Sequence, residues 1–132
     1  MTLEHMDLLL DTHVAIWWAD NPSVLKAKAI TAIADPANTV WFTSASAWEL
    51  AIKVRAGKLQ VDVAKLVDQL TRNGIRLLGI GVDDVIAAGS LDWEHRDPFD
   101  RMIVAQARRL GLQVITRDDV IQNFLGSAFV AA

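Results

Sequence analysis

The sequence predicts an α/β protein, a three-layer α/β/α sandwich with a central parallel sheet of four or five strands. Short apolar runs, of which Leu8-Leu9-Leu10 is the clearest, are typical of buried strands. Segments with helical spacing of apolar residues alternate with these runs along the chain. Strands that alternate with helices form a parallel sheet covered on both faces. Ligands of such sheets bind at the carboxyl ends of the strands.

Two strands and four helices are predicted in the first half of the chain. Ser23 suits the N-cap of a helix, and Gly57 suits the position that follows a helix. The predicted elements are, in order, a strand over 8–10, helices over 12–19 and 24–34, a strand over 40–43, and helices over 47–55 and 63–71.

The second half of the chain continues the alternation. Pro98 suits the first position of a helix, and Gly111 suits the end of that helix. The predicted elements are a strand over 75–80, helices over 82–91 and 99–110, a strand over 112–116, a helix over 119–125 and an edge strand over 129–131.

Length and composition predict one globular domain over 1–132, in which residues 1–6 are expected to be frayed. The chain has 132 residues, of which 52% are hydrophobic and 22% charged. The absence of cysteine excludes disulfides and thiolate zinc sites, and it fits a cytoplasmic protein. We find no secretory signal and no apolar run of membrane-spanning length, so no membrane association is expected.

Four carboxylates are expected to meet at one edge of the sheet. Asp11 ends the first strand, and Asp118 follows the strand over 112–116. Glu49 and Asp100 lie in the first turns of two helices, and helices that follow parallel strands begin at the same edge. Carboxylates in close contact repel one another, and a hard divalent cation relieves that repulsion. Oxygen ligands favour Mg²⁺ or Mn²⁺, and a metal-bound water can then attack a phosphate.

Each of these acids except one also has a structural explanation. Ser46 and Glu49 have the spacing of a capping box. Asp100 suits the first turn of a helix and Asp118 suits an N-cap. Asp11 differs, because it ends a wholly apolar strand and no nearby cap explains it.

Four motifs contain these acids and cover nearly the whole chain. They are Leu8-Leu9-Leu10-Asp11-Thr12-His13; Ser46-Ala47-Trp48-Glu49-Leu50 with Ile52-Lys53 and Gly57-Lys58-Leu59; His95-Arg96-Asp97-Pro98-Phe99-Asp100-Arg101 with Ala105-Gln106-Ala107; and Thr116-Arg117-Asp118. In this order and at this spacing they resemble the PIN-domain nucleases, and most closely the VapC-type toxins of bacterial toxin–antitoxin pairs.

The resemblance implies a metal-dependent endoribonuclease that hydrolyses RNA phosphodiesters as the toxin of a type II toxin–antitoxin system. It also implies a homodimer, and inhibition by a small antitoxin protein. The residues that it implies for catalysis and for binding Mg²⁺ or Mn²⁺ are Asp11, Glu49, Asp100 and Asp118. The polar residues that it implies beside them are Thr12, Ser46 and Thr116.

Other polar residues adjoin the predicted site. His13, Arg101 and Arg117 are candidates for contacts with substrate phosphate. The two arginines are alternatively ion-pair partners of the acids when no metal is bound. Asp97 and Asp119 flank the assigned acids and are expected to be an N-cap and a first-turn acid, although either one could share the role of its neighbour.

Tryptophan content and net charge bear on the partners. The chain has five tryptophans and a formal net charge of −3. Packing in a core or an interface is the commoner use of tryptophan, and stacking on unpaired bases is the alternative. Trp17 and Trp18 cannot both point inward on one helix face, so we expect at least one of them to meet a partner or a groove. The negative charge counts against RNA binding, although bound divalent cations would offset it.

Three other functions remain to be weighed. A response-regulator-like receiver requires an acidic pair after the first strand and a lysine that closes a late strand, whereas Thr12-His13 and Arg117 occupy those places. A phosphatase with an Asp-x-Asp motif is also disfavoured, because the second residue after Asp11 is His13 and not an aspartate. A catalytically silent PIN-like domain that only binds an antitoxin or RNA stays open.

Overall fold

The structure is a computed structural model in which residues 5–132 are described. Most of the segment expected to be frayed, residues 1–6, therefore lies outside the described residues. Within the described part, the Met6 amide donates a hydrogen bond of 2.8 Å to Asn38 Oδ1. Met6 also packs against the core, so the expected fraying does not extend to it.

Five parallel strands form one sheet, which confirms the predicted fold class. Their order across the sheet is β3-β2-β1-β4-β5, with every neighbouring pair parallel. The strands are β1 (Asp7–Leu10), β2 (Thr39–Thr43), β3 (Arg76–Leu78), β4 (Gln113–Thr116) and β5 (Phe129–Ala131). The helices are α1 (Thr12–Asp20), α2 (Ala27–Ala34), α3 (Ser44–Arg55), α4 (Val63–Arg72), α5 (Val82–Ser90), α6 (Pro98–Leu110) and α7 (Asp119–Leu125).

The two faces of the sheet are covered by different helices. Successive side chains of a strand point to opposite faces. Leu8 and Leu10 accordingly belong to one apolar cluster, together with buried residues of α1, α2, α3 and α4. Leu9 belongs to a second cluster, together with buried residues of α6 and α7. The central strand is therefore buried on both sides, as its continuous apolar run predicts.

Three predicted boundaries are wrong, one of which is the start of the third helix, at Ser44 instead of residue 47. The second helix begins at Ala27, not at residue 24, because Pro22–Val24 forms a separate 3-10 turn and Leu25 is extended. Ser23 therefore does not cap that helix. The third strand covers only Arg76–Leu78 instead of 75–80. It lies at the edge of the sheet and pairs with β2 alone, and that pairing ends where Thr43 meets Leu78.

The predicted capping box is also wrong. The third helix begins at Ser44, and its N-cap is Thr43, whose Oγ1 accepts a hydrogen bond from the Ala45 amide at 3.2 Å. Ser46 consequently lies inside the first turn. The carboxylate of Glu49 is then available for a contact with another helix, which is described below.

The glycines predicted to end helices are confirmed. Gly57 and Gly111 adopt φ angles of 74° and 69°, in the left-handed region that side chains disfavour. After α3, the Gly57 amide donates to the Val54 carbonyl and the Lys58 amide to the Lys53 carbonyl. This is the hydrogen-bond pattern of a Schellman motif.

The tryptophans occupy different surroundings. Trp17 and Trp18 are both partly buried, and both pack against the cluster under α1. Trp48 is the most exposed of the tryptophans, with 62% of its surface accessible, and its ring contacts Phe99 edge-on. Across residues 5–132, each helix falls short of the length and apolar character needed to cross a membrane.

Candidate active site

Asp11 lies at the carboxyl end of β1, the central strand of the sheet. Its carboxylate is buried and accepts two hydrogen bonds of 2.7 Å, one from the Thr12 amide and one from Thr116 Oγ1. Asp11 is also the N-cap of α1, so the expectation that no cap explains this residue is wrong. Because one oxygen bonds the helix and the other bonds β4, the carboxylate has a fixed orientation.

Asp118 lies next to Asp11, after the neighbouring strand β4. Thr116 Oγ1 connects them, since it donates to Asp11 and accepts a hydrogen bond of 3.0 Å from the Asp118 amide. Asp118 Oδ1 accepts from the Val120 amide at 2.8 Å, which confirms the predicted N-cap of α7. Asp118 is exposed, and its second oxygen has no hydrogen-bond partner among residues 5–132. Asp119 occupies the first turn of α7, as expected.

Glu49 is joined to the same edge through Thr12. Thr12 Oγ1 lies 2.7 Å from Glu49 Oε1 and 2.8 Å from Ser46 Oγ. A hydroxyl has one hydrogen to donate, so Thr12 donates to the carboxylate and accepts from the serine. Lys53 Nζ lies 3.0 Å from Glu49 Oε2 and forms an ion pair one turn along the helix. Glu49 is buried, with 7% of its surface exposed.

Asp100 lies in the first turn of α6, next to His95. His95 Nε2 is 2.7 Å from Asp100 Oδ2. Asp97 caps the helix, as predicted, because its Oδ1 accepts from the amides of Phe99 and Asp100. Within the described part of the chain, His95, Asp97 and Asp100 are the one set of three possible metal ligands with all donor atoms within 4.8 Å of one another. No three of the four predicted acids meet this distance limit among the described residues.

The electrostatics connect three of the predicted acids. Burial raises the pKa of the Asp11 carboxyl; hydrogen bonds from Thr116 and Thr12 oppose that rise, and the Asp118 charge adds to it. Burial raises the pKa of Asp100 to about 6, and the charges of Asp97 and Asp11 also act upward. Asp11 is therefore within electrostatic range of both Asp100 and Asp118. At the carboxyl ends of these strands, the ionised form of a carboxyl group is therefore destabilised.

The three candidate substrate contacts have different surroundings. Arg101 donates hydrogen bonds to the carbonyls of Ala88, Leu91, Trp93 and His95. Arg117 donates to the Ala132 carbonyl and lies over the ring of Trp17. His13 is exposed beside the Asp11 carboxylate. Within residues 5–132 neither arginine forms an ion pair with a predicted site acid, so that alternative is wrong.

Sequence reasoning missed the contact between His95 and Asp100. The available signal was their place in one motif, five positions apart across the start of a helix. The contact of Arg117 with Trp17 was also missed, and no local pattern predicts it, because 100 positions of chain separate the two residues.

The match to a family model decides the relationship. The model described as PIN domain matches residues 8–124. The chain belongs to the PIN-domain family. Among curated proteins, Ribonuclease VapC22 of Mycobacterium tuberculosis (strain ATCC 25618 / H37Rv) is 32% identical over 114 residues, which are 84% of this chain and 86% of that protein.

Two solved structures share the PIN-domain fold. VapBC2 from Rickettsia felis, bound to a DNA fragment from their promoter, has a TM-score of 0.62 and 16% identity, covering 96% of this chain and 98% of the other. VapBC-5 from Mycobacterium tuberculosis, a member of the VapBC family of toxin-antitoxin systems, has a TM-score of 0.57 and 23% identity, covering 95% and 96%. The resemblance inferred from the four motifs, to PIN domains and their VapC-type members, is confirmed.

Proposed function

We propose that this PIN-domain protein is a metal-dependent endoribonuclease that hydrolyses RNA phosphodiester bonds and acts as the toxin of a toxin–antitoxin pair. The observation that carries the proposal is the buried Asp11 carboxylate at the end of the central strand. It is coupled electrostatically to Asp100 and Asp118, and through Thr12 it adjoins Glu49. The 32% identity to a ribonuclease supports the choice of RNA as substrate. The proposal places the activity in the cytoplasm, where cellular RNA is available.

The donor set fits a hard divalent cation. Asp11, Glu49, Asp100 and Asp118 offer only carboxylate oxygens, and Mg²⁺ and Mn²⁺ prefer such ligands. The raised pKa values of Asp11 and Asp100 reflect burial and mutual repulsion that a cation would relieve. When bound, the cation supplies an activated water and neutralises charge that builds on the phosphate. Among the described residues, no three of the four acids have donor atoms within 4.8 Å of one another, which suits an ion that keeps several of its waters.

Three hydroxyl groups have a positioning role in this proposal. Thr116 and Thr12 hold the acids of neighbouring elements through hydrogen bonds of 2.7 Å. Ser46 completes the group by its contact with Thr12. Because these side chains are all buried, the carboxylates they contact have little freedom to rotate. Acids held in this way need little reorganisation when substrate binds.

The candidate substrate residues separate into two kinds. His13 and Arg117 adjoin Asp11 and Asp118 around one cavity, which supports a contact with the substrate. The guanidinium of Arg101 is surrounded by backbone carbonyls, which favours a structural role. We therefore retain His13 and Arg117 as substrate contacts and assign Arg101 to stabilising the loop before α6.

Two protein partners belong to the proposal. One is a small antitoxin, supported by the VapBC complexes that share the fold. The other is a second copy of this chain. The homodimer is supported by an exposed apolar surface on α5, which we name the α5 face and which consists of Val82, Val85 and Ile86.

The test is cleavage of total cellular RNA by the purified protein, with mapping of the cut ends. We expect EDTA to abolish cleavage and Mg²⁺ or Mn²⁺ to restore it. Cleavage that persists in EDTA would contradict metal dependence. No cleavage under any metal condition, with antitoxin or RNA binding retained, would instead favour the catalytically silent alternative.

Two variants refine this test. Asp11→Asn removes one site carboxylate and keeps its shape, so we expect it to abolish cleavage. Asp83→Asn removes one exposed carboxylate in the first turn of α5, and we expect it to cleave normally. Both variants are checked for folding by circular dichroism. Full activity of Asp11→Asn would remove Asp11 from the site.

A further inference from the structure

A wall of flat side chains adjoins the acidic edge of the sheet. The rings of His13 and Trp17, one turn apart on α1, have centroids 5.8 Å apart and are tilted by 38°. The guanidinium of Arg117 lies 4.5 Å from the centre of the Trp17 ring. The three side chains come from α1 and from the segment after β4, so the wall adjoins both Asp11 and Asp118.

This wall borders a cavity of about 220 Å³ that opens onto the acids. The volume is below the roughly 300–1,000 Å³ typical of sites for drug-sized ligands, so the cavity suits a single flat ring. Its lining combines two acids with the three flat side chains. The lining residues are Asp11, His13, Val14, Trp17, Arg117 and Asp118.

Arg117 is held in place and keeps one donor group available. Its Nε and Nη2 donate to the Ala132 carbonyl, and Nη2 also donates to the Val24 carbonyl. Among residues 5–132, no hydrogen bond is made by Nη1. A guanidinium anchored in this way presents a rigid donor to a ligand at little cost in conformational entropy.

Neither capping nor packing requires a histidine at position 13. The N-cap of α1 is Asp11, and the imidazole of His13 is exposed. Within the described chain it makes no hydrogen bond, and its contact with Trp17 is a tilted ring contact. An exposed flat ring at the mouth of a cavity, beside an anchored cation, is suited to stack on an unpaired base.

We propose that this cavity is a base subsite: the unpaired base of a nucleotide next to the scissile phosphate stacks on His13, and Arg117 Nη1 donates a hydrogen bond to it. The inference rests on the proposed ribonuclease function and adds a structural requirement to it. A base inside a duplex is stacked and paired, so it must be unpaired before it can enter the cavity.

The test uses a synthetic single-stranded RNA that contains a mapped cut site, and matched RNAs that lack the base on one side of the cut or the other. We expect His13→Ala to lower kcat/KM on the full RNA by about tenfold, within the range that loss of one base stack gives. On the RNA abasic at the subsite position, His13→Ala and wild type should cleave equally. His13→Phe should restore most of the activity, because phenylalanine stacks without an imidazole.

The matched control is His5→Ala, which removes a histidine before β1, at the opposite end of that strand. We expect His5→Ala to cleave the full and the abasic RNAs at the wild-type rates. A photo-cross-link from 5-iodouridine at the subsite position to His13 or Trp17 gives a readout that does not depend on cleavage.

Several results would overturn the inference. If His13→Ala lost the same share of activity on the full and on the abasic RNA, His13 would not act on a base. His13→Phe failing as badly as His13→Ala would show that the imidazole itself is needed. A cross-link that maps elsewhere would place the base outside the cavity. Absence of all cleavage would instead contradict the proposed function, so the two failures are distinguishable.

Discussion

The carboxyl group of Asp100 lies where a negative charge is disfavoured. Burial raises its pKa to about 6 from an ordinary value of 3.8; its hydrogen bond with His95 opposes this rise, and the charges of Asp97 and Asp11 add to it. Without a bound cation, ionising Asp100 therefore costs more free energy in the folded protein than in the unfolded chain. A divalent cation at the edge would remove that cost.

This residue leads to a prediction about pH. A raised pKa means that the folded state holds the proton more tightly. The contribution of Asp100 to stability is thus present below about pH 4 and is lost as the pH rises through about 6. Between pH 5 and pH 7.5, we expect the free energy of unfolding of Asp100→Asn to rise by about 1–2 kcal/mol relative to that of wild type. This value already includes a reduction for solvent screening.

The measurement is urea unfolding of both proteins in EDTA at the two pH values. A difference between wild type and Asp100→Asn that stays constant with pH would contradict the prediction. Adding Mn²⁺ at pH 7.5 gives a second comparison, since it should stabilise wild type more than the variant.

At the scale of elements, side chains that span two segments hold the site together. Thr12 connects the start of α1 to α3 through Glu49, and Thr116 connects β4 to Asp11. Arg101 connects α6 to the end of α5 and to the following loop through carbonyl groups. That loop carries His95, so Arg101 also holds the partner of Asp100 in place.

Arg101 leads to a prediction about stability. Arg101→Lys keeps the charge but loses the forked arrangement of donors, and it leaves carbonyl groups without their partners. We expect the free energy of unfolding to fall by about 1–3 kcal/mol. The control is Arg72→Lys, at an exposed arginine paired with Asp68 on α4, which should change stability by less than about 0.5 kcal/mol.

Chemical unfolding of the two variants provides the measurement. If Arg101→Lys unfolds at the same urea concentration as Arg72→Lys, the carbonyl contacts do not support the loop. That result would favour a contact between Arg101 and the substrate over a structural role.

At the scale of the whole molecule, the α5 face is an apolar surface that residues 5–132 leave exposed. Val82 and Ile86 on α5 are 74% and 62% exposed, and Val85 lies between them on the same helix face. Exposed apolar surfaces of this kind mark sites of association.

The α5 face leads to a prediction about oligomeric state. Two copies of Ile86→Glu would bring buried like charges together, so we expect this variant to sediment as a monomer while wild type sediments as a dimer. Val120→Glu, an equivalent change at an exposed valine of α7, should remain dimeric. A monomeric wild type, or an Ile86→Glu dimer, would contradict this use of the α5 face.

Local patterns in the sequence were sufficient for the fold class and the succession of elements. The run Leu8-Leu9-Leu10 predicts a strand buried on both faces, and the spacing of apolar residues predicts each helix, because both signals depend only on nearby residues. Gly57 and Gly111 mark helix ends for the same reason. The four motifs likewise identify the PIN-domain family, whereas the placement of Asp11 and Asp118 after neighbouring strands came from the sheet topology.

The tertiary structure alone decided which groups contact one another. Thr116 donates to Asp11 across 105 positions of chain, and Thr12 reaches Glu49 across 37 positions. The true N-cap of α3, the shortening of β3 and the carbonyl partners of Arg101 depend in the same way on neighbouring segments. Hydrogen-bond geometry and burial arise only when distant segments pack, and local sequence patterns contain no information about that packing.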